Sequence, residues 1–165
     1  CFKYGAEGYP GVNKQVYYKE GIYVGYRFFD TNKVKVQFPF GYGLSYTTFR
    51  YGKPVLSSST ITNGGRITLT ATVTNTGKCA GKEVVELYIG DEKCSVDRPL
   101  KELKGFSKVS LNPGETKTVS FDITSENLQF FSETQHCWVA EPGKFKAYVC
   151  ASSEDVRGTA EFELR

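Results

Sequence analysis

The most constraining feature of this 165-residue sequence is a strict alternation of apolar and threonine side chains over residues 67–74. The odd-numbered positions are Ile67, Leu69, Ala71 and Val73, and every even-numbered position is a threonine. Because successive side chains of a β-strand point to opposite faces, this segment predicts a strand with one face in a core and the other in water. Such a strand is typical of an antiparallel sheet with one solvated side.

Four further segments show the same alternation, and Asn-Pro-Gly at 112–114 and Pro-Gly at 142–143 supply turns. The residues predicted to share the inward faces are Val85, Leu87 and Ile89, then Val119, Phe121 and Ile123, then Phe145, Ala147, Val149 and Ala151, and last Ala160, Phe162 and Leu164. Segments 48–57 and 100–111 are expected to add strands, and 125–131 a short helical turn. The sequence therefore predicts an all-β fold, a fibronectin type III or immunoglobulin-like β-sandwich of about seven strands.

Residues 1–47 differ from the rest because they are rich in glycine and tyrosine and have no sustained period. We expect an irregular tail there, with a domain boundary between residues 47 and 48. Its aromatic rings need something to pack against. We therefore expect an apolar surface near Tyr23, Tyr26, Phe28, Phe38 and Phe40 that is larger than a monomer normally exposes.

Composition excludes several classes of partner. The formal net charge is +3 and the lysines are scattered among glutamates, so no basic surface for nucleic acid is predicted. No apolar run approaches the roughly 20 residues that span a bilayer, so no membrane partner is predicted either. We predict no metal site and no cofactor, because the chain has one histidine, no C-x-x-C pair and no phosphate-binding glycine loop.

Five cysteines are an odd number, so they cannot all pair within one chain. Two interpretations stay open: unpaired thiols, or one disulfide between two of Cys79, Cys94, Cys137 and Cys150.

The residues give no sign of a catalytic centre, and we predict no catalytic residue. His136 adjoins Cys137, but adjacency in sequence is not the geometry of a nucleophile and its base. We interpret His136 as a surface residue. Glu20 and Asp30 flank an aromatic run and are expected to make structural hydrogen bonds.

Three segments resemble one enzyme family. Residues 18–30 contain Glu-Gly-Ile-Tyr-Val-Gly-Tyr-Arg-Phe-Phe-Asp, residues 38–47 read Phe-Pro-Phe-Gly-Tyr-Gly-Leu-Ser-Tyr-Thr, and residues 101–106 read Lys-Glu-Leu-Lys-Gly-Phe, with Pro-Gly-Glu at 113–115. In order and spacing they are similar to the C-terminal region of glycoside hydrolase family 3. The match covers nearly the whole chain.

This resemblance implies an anatomy. Family members carry a TIM-like barrel with a nucleophilic aspartate, an α/β sandwich that holds the acid/base glutamate in many members, and a fibronectin type III-like domain. Residues 1–47 would then be the end of the α/β sandwich and a linker, and residues 48–165 the last domain. Neither catalytic motif has a counterpart here, and Glu20 is not the acid/base residue.

The resemblance implies a structural role beside the barrel and the α/β sandwich of a retaining β-glycosidase, β-glucosidase first and β-xylosidase next. The parent would act on a β-linked oligosaccharide in the periplasm or outside the cell. The alternative is a carbohydrate-binding module that stacks sugars on exposed aromatic rings. Its candidate residues are Trp138, which we place in a loop, and Tyr88 and Tyr148, which we place on outer strand faces.

Overall fold

A computed structural model describes residues 5–165 of the chain. The strands are β1 (Phe49–Tyr51), β2 (Val55–Leu56), β3 (Thr60–Ile61), β4 (Arg66–Asn75), β5 (Gly81–Asp91), β6 (Glu102–Leu111), β7 (Thr116–Thr124), β8 (Phe130–Ser132), β9 (Cys137–Val139), β10 (Gly143–Cys150) and β11 (Val156–Leu164). Two short helices, α1 (Gly5–Gly8) and α2 (Tyr26–Thr31), precede the strands. A single 3-10 turn, Ser125–Leu128, follows β7.

The strands form two packed sheets and a separate hairpin. In the four-stranded sheet, β4 pairs along its length with β7 and on its other edge with β1 and β2. The five-stranded sheet has the order β3-β11-β10-β5-β6, antiparallel except for the β3–β11 pair. The hairpin is β8 and β9. The architecture confirms the predicted β-sandwich.

The core lies where the alternation places it. Every odd position of 67–73 is buried, as are Val85, Leu87 and Ile89 of β5, the inward residues of β7, and Phe145, Ala147 and Val149 of β10. Both sheets contribute these side chains to one cluster. Since an apolar side chain gains roughly 1.5–3 kcal/mol on full burial, this cluster is the main stabilising contribution to the fold.

Segment 48–57 adds strands as expected, in two short pieces, because Gly52, Lys53 and Pro54 separate β1 from β2 and a proline nitrogen cannot donate to a ladder. Two other expectations need correction. Ala151 lies outside the core, because β10 ends at Cys150, where its register with β11 shifts. Residues 137–139 are strand β9, so Trp138 is not in a loop.

The tail, by which we mean residues 5–47, is irregular apart from α1 and α2. Its end is fastened to the sandwich at Thr47, whose hydroxyl donates to Asn75 Oδ1 at 2.6 Å. The Asn75 amide in turn donates to the carbonyls of Cys79 and Leu111. Asn75 is fully buried, so these bonds satisfy its polar atoms and fix where the tail enters β1. Within residues 5–165, no helix is long and apolar enough to cross a bilayer.

Candidate functional site: a tail docked on the outer face of the sandwich

The outer face of the five-stranded sheet is covered around Glu86 and Tyr88 of β5, where solvent was expected. Glu86 and Tyr88 do point away from the core, as alternation predicts, but they are only 5% and 0% exposed. The Tyr88 hydroxyl donates to Glu86 Oε2 at 2.7 Å. The expectation that Tyr88 offers an exposed ring is therefore wrong, because the tail lies over this face of β5.

A buried ion pair joins the tail to the sandwich. Lys101 Nζ lies 2.6 Å from Asp30 Oδ2, and the two side chains are 6% and 5% exposed. The Ser153 hydroxyl adds a longer bond to Asp30 Oδ1 at 3.4 Å, and the ammonium also stands 5.6 Å from the centre of the Tyr88 ring. The structural role predicted for Asp30 is thus observed as an ion pair between the tail and the sandwich.

Helix α2 presents further partners to the loop of the sandwich at residues 92–101 and to the start of β6. The Tyr26 hydroxyl accepts from the Leu103 amide at 2.8 Å, and Thr31 Oγ1 accepts from the Leu100 amide at 2.9 Å. The Tyr26 ring meets Tyr88 edge-on, with centroids 5.5 Å apart. Helix α2 has only about one and a half turns, which is too short to be stable alone. These contacts therefore fix its position.

Close backbone approach completes the seam at Phe40 and Gly41. The Phe40 carbonyl accepts from the Ser153 amide at 2.7 Å. Gly41 has φ +82°, and a Cβ there would overlap the Glu86 carboxylate. Glycine is required at this position for both reasons. We call the set Tyr26, Asp30, Phe40 and Gly41 of the tail with Glu86, Tyr88, Lys101 and Ser153 of the sandwich the docking seam.

Burial sets the protonation behaviour of the seam. It raises the pKa of the Glu86 carboxyl, and the hydrogen bond from Tyr88 offsets this only in part. Burial likewise raises the pKa of the Cys150 thiol to about 12. Cys150 stands opposite Glu86 in the β5–β10 ladder and is fully buried, so it shares the covered face.

The tail leaves a row of apolar side chains exposed at every second residue of 38–46. Their exposed fractions are 65% for Phe38, 50% for Phe40, 49% for Tyr42, 89% for Leu44 and 101% for Tyr46. We call this set the linker row. The expected apolar surface is therefore found at Phe38 and Phe40, whereas Tyr23, Tyr26 and Phe28 are half-buried.

The candidate sugar-contacting residues are not brought together. Tyr148 is half-buried and pairs with buried Tyr88 across β5 and β10. Trp138, 65% exposed, stands on the separate β8–β9 hairpin. Only Trp138 of the three presents most of its ring to solvent.

The other chemically notable residues have modest environments. Cys79, Cys94, Cys137 and Cys150 are free thiols, and Cys1 lies outside the described residues. His136 is exposed at a φ of +52°. In the described part of the chain, no three His, Cys, Asp or Glu side chains are grouped to hold a metal ion.

A groove of about 980 Å³ runs between the linker row and the start of β5. It contains Glu83, whose carboxylate accepts from the Tyr51 hydroxyl at 2.8 Å. It also contains Asp155, which pairs with Arg157 at 2.6 Å. Burial raises the pKa of Glu83. Both acids are thus bonded to other side chains, Glu83 across to β1 and Asp155 to Arg157 two residues along the chain.

Reasoning from the sequence missed Lys101, Ser153 and Glu86 as seam residues. Lys101 opens the Lys-Glu-Leu-Lys-Gly-Phe segment that carries part of the family resemblance, so that motif was a usable signal. The sequence carries no such signal for Ser153 or Glu86, because each is covered by residues more than 40 positions away in sequence.

Comparison with known proteins agrees with this fold. Residues 83–153 match the model of the fibronectin type III-like domain family. The chain is 59% identical over 97% of its length to a β-glucosidase of Bacteroides ovatus, of which it covers 21%. It is 48% identical over 77% of its length to a periplasmic β-glucosidase of Salmonella typhimurium, of which it covers 16%.

A solved structure gives the same result. The crystal structure of a family 3 β-glucosidase from Bifidobacterium adolescentis superposes with a TM-score of 0.89 at 38% identity, covering 95% of this chain and 23% of that one. The chain thus spans about a fifth of the length of the relatives it matches.

Fold and seam together define a fibronectin type III-like β-sandwich with an N-terminal tail docked on one sheet. The similarity to longer enzymes then gives the wider relationship. Residues 83–153 match the fibronectin type III-like domain family, and nearly the whole chain is similar to the C-terminal region of glycoside hydrolase family 3 β-glucosidases.

Removing the negative charge from the buried ion pair is expected to open the seam. In Asp30→Asn, Lys101 keeps its charge without a counter-charge, and breaking a buried pair in this way costs about 3–5 kcal/mol. The tail should lift, and the Cys150 thiol should react with iodoacetamide faster, as mass spectrometry of the labelled peptides would measure.

Two controls accompany that experiment. Cys79 and Cys137 are already exposed and should react at the same rate in both proteins. Asp122→Asn removes an exposed pair with Arg66, worth at most about 1 kcal/mol, and should leave Cys150 protected. Equal labelling of Cys150 in wild type and Asp30→Asn would show that the pair does not hold the tail.

The second prediction concerns backbone approach at Gly41. Gly41→Ala adds both the strain of a positive φ, about 1 kcal/mol, and an overlap with Glu86 that costs about 1–3 kcal/mol more. Gly64→Ala is the matched control, since Gly64 has φ +75° and a Cβ added there would have nothing within 4 Å. Urea unfolding should find Gly41→Ala the more destabilised of the two, and equal losses would contradict the close contact.

The third prediction concerns pH. The pKa of Glu86 is raised in the folded state, so the stability it contributes is present below its unfolded pKa and is lost as pH rises through its folded pKa. Each unit between the two values amounts to about 1.4 kcal/mol. Glu86→Gln keeps an acceptor for Tyr88 but cannot ionise.

The stability of Glu86→Gln relative to wild type should therefore increase from pH 4 to pH 8 in urea titrations. Glu133→Gln is a control at an exposed position, and its free energy of unfolding should change with pH as that of wild type does. If the difference in free energy of unfolding between Glu86→Gln and wild type stays constant with pH, then the Glu86 carboxyl ionises equally easily in the folded and the unfolded state.

Proposed function

We propose that this chain is the accessory C-terminal region of a retaining β-glycosidase, in the first place a β-glucosidase, and that it stabilises the catalytic domains of the same polypeptide. The observation that carries the proposal is the linker row, a set of apolar side chains left exposed on a tail that is itself fastened by a buried ion pair. A rigid apolar surface of this kind is suited to permanent association with another folded body.

The partners in this proposal are the catalytic barrel and the α/β sandwich that the family resemblance implies. The reaction would be retaining hydrolysis of a β-linked oligosaccharide. One carboxylate attacks the anomeric carbon while a second protonates the leaving oxygen and then activates water. Both carboxylates would come from those domains, and this region would supply none.

Support for the glucosidase activity comes from the names of the relatives, which are β-glucosidases in Bacteroides ovatus and Salmonella typhimurium. The second of these is named as periplasmic, and we extend to this chain an exported location, periplasmic or secreted.

The test uses the full reading frame that contains these residues. The whole protein should hydrolyse nitrophenyl β-glucoside, whereas the 165-residue chain alone should not. In the whole protein, Phe38→Ala with Phe40→Ala should lose more than about 2 kcal/mol of stability, because the two rings are buried against a neighbouring domain. Thermal unfolding would measure the loss.

Phe106→Ala is the matched control, since Phe106 is 70% exposed but lies on β6 of the sandwich rather than in the tail. It should change the stability of the whole protein little. The proposal fails if the whole protein cleaves no β-glycoside, or if the two tail substitutions are as silent as Phe106→Ala.

A further inference from the structure

The β8–β9 hairpin carries an aromatic pair that is largely exposed. Phe131 stands directly opposite Trp138, so the two rings share one face of the hairpin. Their centroids are 5.8 Å apart at 75°, and they are 48% and 65% exposed. Phe130 and Val139, one position along, occupy the opposite face and are half-buried.

A single arginine fixes the base of this hairpin. The Arg98 guanidinium donates to the Leu128 carbonyl at 2.9 Å and lies 5.9 Å from the centre of the Phe130 ring. Arg98 is itself held by Glu102 at 2.7 Å and Asp91 at 3.6 Å, and its side chain is only 11% exposed. The exposed rings therefore stand on an ordered support, which lowers the entropic cost of binding a ligand.

The loop that supports the hairpin also binds the tail. Arg98, Leu100 and Lys101 are close neighbours in it, and the last two bond to Thr31 and Asp30. Glu102, which holds Arg98, also lies 3.7 Å from Arg27 of α2. The aromatic pair is thus fastened to the same loop as the tail, through which the chain would meet its catalytic domains.

We propose that Trp138, with the Phe131 ring standing edge-on beside it, forms a stacking platform for one sugar ring of a β-linked gluco-oligosaccharide. The arrangement of the two rings is seen in the structure, whereas the class of sugar rests on the proposed function. A β-glucosyl ring has equatorial hydroxyls and an apolar C–H face, which fits flat on an exposed indole. Binding sites of this class combine aromatic surfaces with a few polar groups.

The surroundings of the two rings favour a sugar over a protein partner. The connection between the strands is polar and exposed, and its residues are Glu133, Thr134, Gln135 and His136. Their side chains are hydrogen-bonding groups of the kind that bind hydroxyls. A protein interface instead needs a broad buried centre and some ~800 Å² on each partner, which two isolated rings do not offer.

The test exploits the fact that the chain contains one tryptophan, so its intrinsic tryptophan fluorescence comes from Trp138 alone. The 165-residue chain is titrated with cellotetraose to about 20 mM, and a saturable change with a millimolar Kd is expected. Phe131→Ala should weaken binding by about threefold or more, in keeping with the loss of one ring contact. Trp138→Ala, followed by calorimetry, should lose binding.

Phe106→Ala, an exposed phenylalanine outside the hairpin, should bind as wild type does. Maltotetraose, the α-linked isomer, should bind more weakly, and equal binding would overturn the assignment to β-linked sugars. No saturable change with cellotetraose would overturn the platform. So would acrylamide quenching of the whole protein that is the same with and without Trp138→Phe, since the ring would then be covered by another domain.

This outcome is separable from that of the proposed function. If the whole protein cleaves β-glucosides and the chain does not bind cellotetraose, only the platform is wrong. If the whole protein cleaves none and the chain still binds through Trp138, the platform stands and the glycosidase assignment is wrong.

Discussion

The position of the tail depends on charge pairing in a place with little water. Lys101 is attached to the sandwich and Asp30 to the tail, and neither side chain is more than 6% exposed. Either charge alone would be costly to bury, so the covered face of β5 is acceptable only when both are present. A buried pair adds little net stability compared with apolar packing, but it accepts few alternative arrangements. Its main effect here is to select one position for α2.

That selection determines what the tail presents to its surroundings. Once α2 and Gly41 are fixed, the chain from Phe38 to Tyr46 lies along the sandwich and leaves the apolar side chains of the linker row exposed. The seam is built from polar groups that satisfy one another, and the described residues contain no buried side-chain nitrogen or oxygen without a hydrogen-bond partner. The linker row, by contrast, is apolar and largely exposed. The tail is therefore joined to the sandwich mainly by polar contacts, together with the Tyr26–Tyr88 ring contact, and exposes apolar side chains outward.

The sequence predicted the two sheets well because alternation reports directly on which side chains share a face. Ile67 to Val73 and Phe145 to Val149 lie where the pattern places them. The same pattern cannot tell whether the second face meets water or another segment, and for that reason it predicts an exposed ring for Tyr88. The segment that covers them has no period of its own. Strand β9, only three residues long, is too short for alternation to be distinguished from a loop.

The boundary predicted near residue 47 rests on a change in composition, and many contacts cross it in the structure. Chain segments on its two sides are joined by the Asp30–Lys101 pair, by Phe40 and Ser153, and by Thr47 and Asn75. A flexible linker would make few such contacts, since domain boundaries usually fall where little crosses. Movement of the sandwich relative to the tail would have to break a buried ion pair and expose the Glu86 carboxyl together. The tail and the sandwich should therefore move as one body, and any hinge in a longer chain would lie before α2 rather than after the linker row.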